Sequence, residues 1–147
     1  QLEKTKDTAT VCLWEEADEN GNPIYFSQTT NEHNEVIKTK RVLDKDTEKL
    51  ISYESWNLKG ERIKSQFISA KQSVYTTYKK NKPNFTSTIS KDENGNIAKV
   101  ERTWPKHKSW NRTTVFSYTT DGLLHSKTRF DNDKLALIHL YEREFYK

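Results

Sequence analysis

The sequence has no methionine, a single cysteine, four glycines and three prolines among its 147 residues. Each shortage removes a class of solution. The lone Cys12 can neither close an internal disulfide nor gather a metal cluster by itself. It sits between Val11 and Leu13 in an apolar run, where a free cysteine is expected to pack as a small buried hydrophobe. No window approaches the roughly 18 apolar residues that a membrane-spanning helix needs, so no membrane span is expected. A signal-type segment is also missing. With Gln1 first and no methionine anywhere, the chain reads as a mature fragment from which a leader has been removed. Residues 1–8 are expected to be a disordered remnant of that leader, and the protein to be periplasmic or extracellular.

Blocks of like charge are lacking as well. Lysine and arginine number 25 against 21 acidic residues, a net +4 with both signs interleaved along the chain. Nucleic-acid proteins usually carry a concentrated basic stripe, so a pI near 9.0 speaks first for solubility. Catalytic fingerprints are absent: no GxSxG, HExxH, P-loop or dinucleotide motif occurs. None of the four histidines, His33, His107, His125 and His139, stands at a metal-ligand spacing, and no metal or cofactor is expected. An enzyme, for instance an uncharacterised hydrolase, would need His125, His139 and a carboxylate to converge from adjacent strands. The carboxylates available for glycoside chemistry, Glu15, Glu16, Glu54 and Glu101, are scattered. A non-catalytic role is therefore expected.

What is present is aromatic and β-branched. Hydrophobic residues make up only 32% of the chain, yet aromatics reach 12%. Disordered chains are poor in such residues, so residues 1–147 are expected to fold as a single all-β domain with a thin core. Runs of four to eight residues such as "IYFSQT", "VIKTKRVL" and "RIKSQFIS" alternate in polarity and end in Asn, Asp, Gly or Lys clusters. Ile63, Ser65 and Phe67 share one face of their run, and Lys64 and Gln66 the other. The pattern predicts about ten antiparallel strands, each paired with its sequence neighbour in a meander of hairpins. The result is either an extended twisted sheet or a partly closed barrel. Only the last segment, 134–146, also fits a helix, through Leu137, Tyr141 and Phe145; the strand reading is preferred.

One turn recurs: an acidic or amide residue, then Gly, then Ile or Leu shortly after. It appears in "ENGNPI" (19–24), "NLKGERI" (57–63), "ENGNI" (93–97) and "TDGLL" (120–124). Glycine supplies the positive φ that such a turn needs. "NEHNEVI" (31–37) and "DNDKLAL" (131–137) lack it, and a longer loop is expected there. With Tyr118, Asp121, Gly122 and Leu124 in "FSYTTDGLLHSKTRF", and Tyr53, Gly60 and Ile63 in "ISYESWNLKGERI", the chain resembles the YD or Rhs-type repeat family. About half of it carries such units. The resemblance implies stacked β-hairpins and no catalytic residue.

Two loops stand out as candidate binding elements. "RTWPKHKSW" (102–110) flanks Pro105 with Trp104 and Trp110 and carries Lys106 and Lys108. "YKKNKPNF" (78–85) repeats the theme with Tyr78, Lys79 and Lys80. Aromatic rings beside cations bind bases or sugars by stacking and cation–π contact. The structural alternative is a cross-strand pair of Trp104 and Trp110. The preferred function is recognition of another protein by a secreted or periplasmic domain, in one version an immunity protein that neutralises a bacterial toxin. The alternative is a carbohydrate- or nucleic-acid-binding module using the basic aromatic loops.

Overall fold

The computed structural model describes residues 10–142, and both residues 1–8 and Phe145 lie outside that range. Eleven strands form one antiparallel meander in the order of the sequence. They are β1 (Thr10–Ala17), β2 (Pro23–Thr30), β3 (Val36–Leu43), β4 (Leu50–Asn57), β5 (Arg62–Ile68), β6 (Gln72–Lys79), β7 (Lys82–Lys91), β8 (Ile97–Thr103), β9 (Arg112–Tyr118), β10 (Leu124–Asp131) and β11 (Lys134–Leu140). The order is open, with β1 at one end and β11 at the other, so the sheet does not close into a barrel. The ambiguous last segment is a strand through Leu140. No helix among the described residues is long and apolar enough to cross a membrane.

The chain divides into two units. One takes the chain up to Ile68 together with Thr77–Lys82; the other takes Ser69–Thr76 and the chain from Pro83 onward.

A single five-residue loop joins many of the strands. In Asp18–Asn22, Asn31–Glu35, Asn57–Glu61, Asp92–Asn96 and Thr119–Leu123, the first residue donates its N–H to the fifth carbonyl, and its own carbonyl accepts from the fourth N–H. A side-chain oxygen of Asp18, Asn31, Asn57 or Asp92 also accepts from the third and fifth N–H groups at 2.8–3.0 Å. Such Asx turns offer the backbone a local partner where the ladder stops. The Thr119 hydroxyl takes only the fifth, Leu123 N–H, at 3.1 Å.

The fourth residue of the loop is left-handed, with φ near 80° at Gly21, Gly60, Gly95 and Gly122. In "NEHNE" the same place is filled by Asn34 at φ 59°. The longer loop expected for that segment is therefore wrong: asparagine tolerates the left-handed region, and the loop keeps its length. "DNDK" departs the other way. Asn132 and Asp133 have φ 49° and 63°, forming a two-residue turn between the paired Asp131 and Lys134. Lys80 and Asn81 do the same at 51° and 61°. Two positive φ values in succession match the twist of a tight hairpin.

The core is thinner than composition suggests. The only buried apolar residues among those described are Ile24 and Val42, opposed across β2 and β3. The other buried side chains are small and polar: Ser27, Thr39, Ser55, Ser65 and Thr76. Ser27, Thr39 and Ser55 lie in one cross-strand row, short enough to be shaded by longer neighbours on the same face. Ser65 is buried, but Phe67, two residues along, is 49% exposed because no second layer covers it. Cys12 corrects another expectation. It lies opposite Ser27 on the end strand β1 and is exposed rather than packed.

Cross-strand side-chain rows stabilise what a core does not. In the first unit one row runs Trp14, Phe26, Lys40, Glu54, Ser65 through directly opposed pairs. Trp14 stacks on Phe26 at 4.5 Å, and Lys40 Nζ lies 5.9 Å from the Phe26 ring. Glu54 pairs with Arg62 at 3.2 Å, and Arg62 lies 5.5 Å from the Tyr78 ring. Ser65 and Tyr78 share a hydroxyl hydrogen bond of 3.1 Å. Each such pair contributes about 0.2–1 kcal/mol.

Candidate functional site

The binding residues expected from sequence fall in both units. Tyr78, Lys79 and Lys80 belong to the first, where Tyr78 is engaged by Ser65 and Arg62, while Lys79 and Lys80 are exposed. Trp104, Lys106, Lys108 and Trp110 belong to the second, in the loop between β8 and β9.

The tryptophan loop is ordered by its backbone. His107 N–H donates to the Trp104 carbonyl, Trp110 N–H to that of His107, and Asn111 N–H to that of Lys108, forming a short 3₁₀ turn over Lys108–Trp110. Asn111 Oδ1 accepts the Trp104 N–H at 2.8 Å, tying the two ends together. Trp104 and Trp110 meet edge to face at 6.2 Å, across the loop just beyond the opposed pair Arg102 and Arg112. His107 stacks on Trp110 at 4.1 Å, and Phe85, the last residue of "YKKNKPNF", packs on Trp104 at 4.8 Å. Trp104 is half-buried, whereas Trp110 is 57% exposed and presents its ring to solvent. Lys106 and Lys108 are exposed.

Sequence reasoning missed the residues on which the tryptophans rest. The register of β8, β9 and β10 puts Arg102, Arg112, Lys127 and Arg129 on one face. Arg102, Arg112 and Asp131 line a depression together with Trp104 and Trp110. The same two arginines open a second cleft, of about 330 Å³, whose walls add Lys127, Arg129, Leu137 and His139. The face is thus continuous from the exposed Trp110 ring to clustered cations. Its signal lay in alternation: Arg102 and Arg112 bracket the tryptophan loop, and Lys127 and Arg129 are two apart in "SKTRF".

Two opposed charge pairs contrast. Lys40 stands opposite Glu54 in the first unit, but Arg102 stands directly opposite Arg112. Like charges so placed are destabilising, by roughly 0.2–1 kcal/mol. Asp131 is the carboxylate that meets this face's cations among the described residues. Its Oδ1 meets Arg112 Nε and its Oδ2 meets Arg129 Nη2, each at 3.2 Å. Arg129 Nε is buried without a hydrogen-bond partner among the described residues. Lys127 lies 5.9 Å from the Phe116 ring rather than on an anion.

The other candidates do not assemble. His139 lies opposite Lys127, not opposite His125, which falls in the irregularity between Leu124 and Ser126. Glu54 is paired with Arg62, and Glu101 with Lys99 at 2.6 Å. Among the described residues no three His, Cys, Asp or Glu side chains are grouped to hold a metal ion.

On the opposite face, β9, β10 and β11 carry an apolar patch beside the Lys99–Glu101 pair of β8. Val115, Thr128 and Ile138 form one cross-strand row, and Phe130 lies opposite Leu135. Val115, Leu135, Ile138 and Leu140 are all more than a third exposed.

No protein-family model matches the chain, and no curated protein matches it in sequence.

Proposed function

We propose that the protein is a non-catalytic binding domain whose basic aromatic face, in the second unit, engages single-stranded nucleic acid. The supporting observation is the continuity of Trp104 and Trp110 with Arg102, Arg112, Lys127 and Arg129 across two adjoining depressions. Exposed rings accept any base by stacking, and cations alongside follow the phosphates. A neutral glycan would use the rings but gain nothing from opposed arginines. Titration with a short unstructured oligonucleotide, read by tryptophan fluorescence, tests the reading. Micromolar binding is expected, weakening with salt at about −0.7 in log K per phosphate engaged. Trp110→Ala is expected to lose about tenfold, in line with roughly 1–3 kcal/mol per stacked base. Salt-independent binding would indicate a glycan instead.

A second reading is carried by the apolar face. Val115, Leu135, Ile138 and Leu140 form an exposed patch of the kind that marks protein contacts. A protein partner met outside the cytoplasm, such as a neutralised toxin, is the corresponding proposal. Ile138→Lys is the variant that separates it, since protein capture is lost while oligonucleotide binding is kept.

A further inference from the structure

The cleft between β8 and β11 is more charged than a nucleic-acid backbone requires. An internal phosphodiester carries one negative charge, whereas four cations line this cleft and two of them, Arg112 and Arg129, share one carboxylate beside it, Asp131. That carboxylate satisfies them poorly. It gives one oxygen to each of two guanidinium groups at 3.2 Å, in neither case as a two-bond fork. Arg129 Nε stays buried and unpartnered, and Arg102 makes no ion pair among the described residues. A ligand with more charge and more acceptor oxygens than a carboxylate fits this donor set. Beside the donors stand Val100, Phe116 and Leu137, which suit the carbon skeleton bearing that anion.

We propose that the cleft is a subsite for a phosphomonoester, the terminal phosphate of a nucleotide strand whose first base stacks on the Trp104–Trp110 loop. A terminal phosphate carries about −1.5 to −2 charge near neutral pH and three acceptor oxygens. Arg112 and Arg129, which both line the cleft, turn from Asp131 to donate to it, Lys127 leaves the Phe116 ring to join them, and Arg102 leads the strand towards the tryptophans. Asp131 acts as an internal stand-in that keeps the arginines ordered without ligand and yields to a stronger anion.

The proposal rests on the nucleic-acid reading, and one experiment separates the two. Binding of a labelled oligonucleotide carrying a 5′-phosphate is compared with that of the same strand ending in a 5′-hydroxyl, on the full chain, by fluorescence anisotropy. The phosphorylated strand is expected to bind about tenfold tighter. Arg129→Gln and Lys127→Gln each erase that preference, the exposed Lys127 serving where the arginine variant fails to fold. Trp104→Ala weakens both strands and leaves the preference intact. Inorganic phosphate in excess removes the preference without displacing the hydroxyl strand. Equal binding of the two strands, or a preference that survives saturating phosphate, overturns the subsite but leaves the nucleic-acid reading standing. Binding of neither strand overturns both.

Discussion

Two carboxylates show how single residues shape these turns. Asp18 and Asp44 both hold their carboxyls below the ordinary range. For Asp18 the largest cause is the Asn22 side-chain amide, donating at 3.0 Å, followed by the Asn22 backbone N–H. For Asp44 the causes are the Thr47 and Asp46 N–H groups. A carboxyl whose pKa falls on folding stabilises the fold above its unfolded value, about 3.9, and that contribution disappears as pH drops through the folded value. Thermal melts of the parent are thus expected to fall below about pH 4, and those of a combined Asp18→Asn, Asp44→Asn variant to fall less steeply. Asparagine keeps the acceptor oxygen and removes the titration. A melt series from pH 6 to 2 reads the difference, and parallel curves would refute it. At this scale the glycine turns were legible, because only a few residues accept a left-handed backbone. Asn34 was misjudged, since asparagine does there what glycine does elsewhere. Cys12 was misjudged because an apolar run was read as a buried one, when its side chain on the end strand is exposed.

Strands were more legible than sites. Alternation and turn chemistry marked the hairpins from "IYFSQT" to "LLHSKTRF", and the strand reading of the 134–146 segment holds through Leu140. The tryptophan loop stood out for its composition, and its two rings do meet. The basic face did not stand out, because its four cations come from three strands and only register aligns them. Register is a property of pairs, and a single run of residues does not display it. The opposed arginines lead to a prediction at this scale. Arg102→Thr removes a like-charge pair, so it is expected to raise the melting temperature by one to a few degrees, consistent with about 0.2–1 kcal/mol. The same change is expected to weaken oligonucleotide binding several-fold. A variant both less stable and weaker in binding would mean that Arg102 serves only the fold.

At the scale of the whole molecule, burial among the described residues is nearly exhausted by Ile24, Val42 and a handful of serines and threonines. The main holding interactions are ladder hydrogen bonds and the side-chain rows across neighbouring strands, and these are weakest where a strand has one neighbour instead of two. Amide hydrogen exchange is expected to follow that gradient within each unit. In the first, β1 exchanges before β2, β3 and β4; in the second, β11 exchanges before β9 and β10. Uniform protection across either unit would contradict the account. The composition had pointed to a thin core, but the absence of any covering layer was hidden. An alternating strand looks the same in sequence whether its apolar side meets another layer or water.

Strict neighbour order also has a meaning in time. A chain whose strands follow one another across the sheet as they do along the sequence has no need to await its distant parts. Once β1 and β2 have been synthesised the first hairpin can close, and each later strand finds its template already standing. Few long loops must be closed before contacts reward them, the condition under which β proteins escape their usual slowness. For each inner strand, the interval in which its leading edge stands bare to other chains is then about the time needed to make the next one.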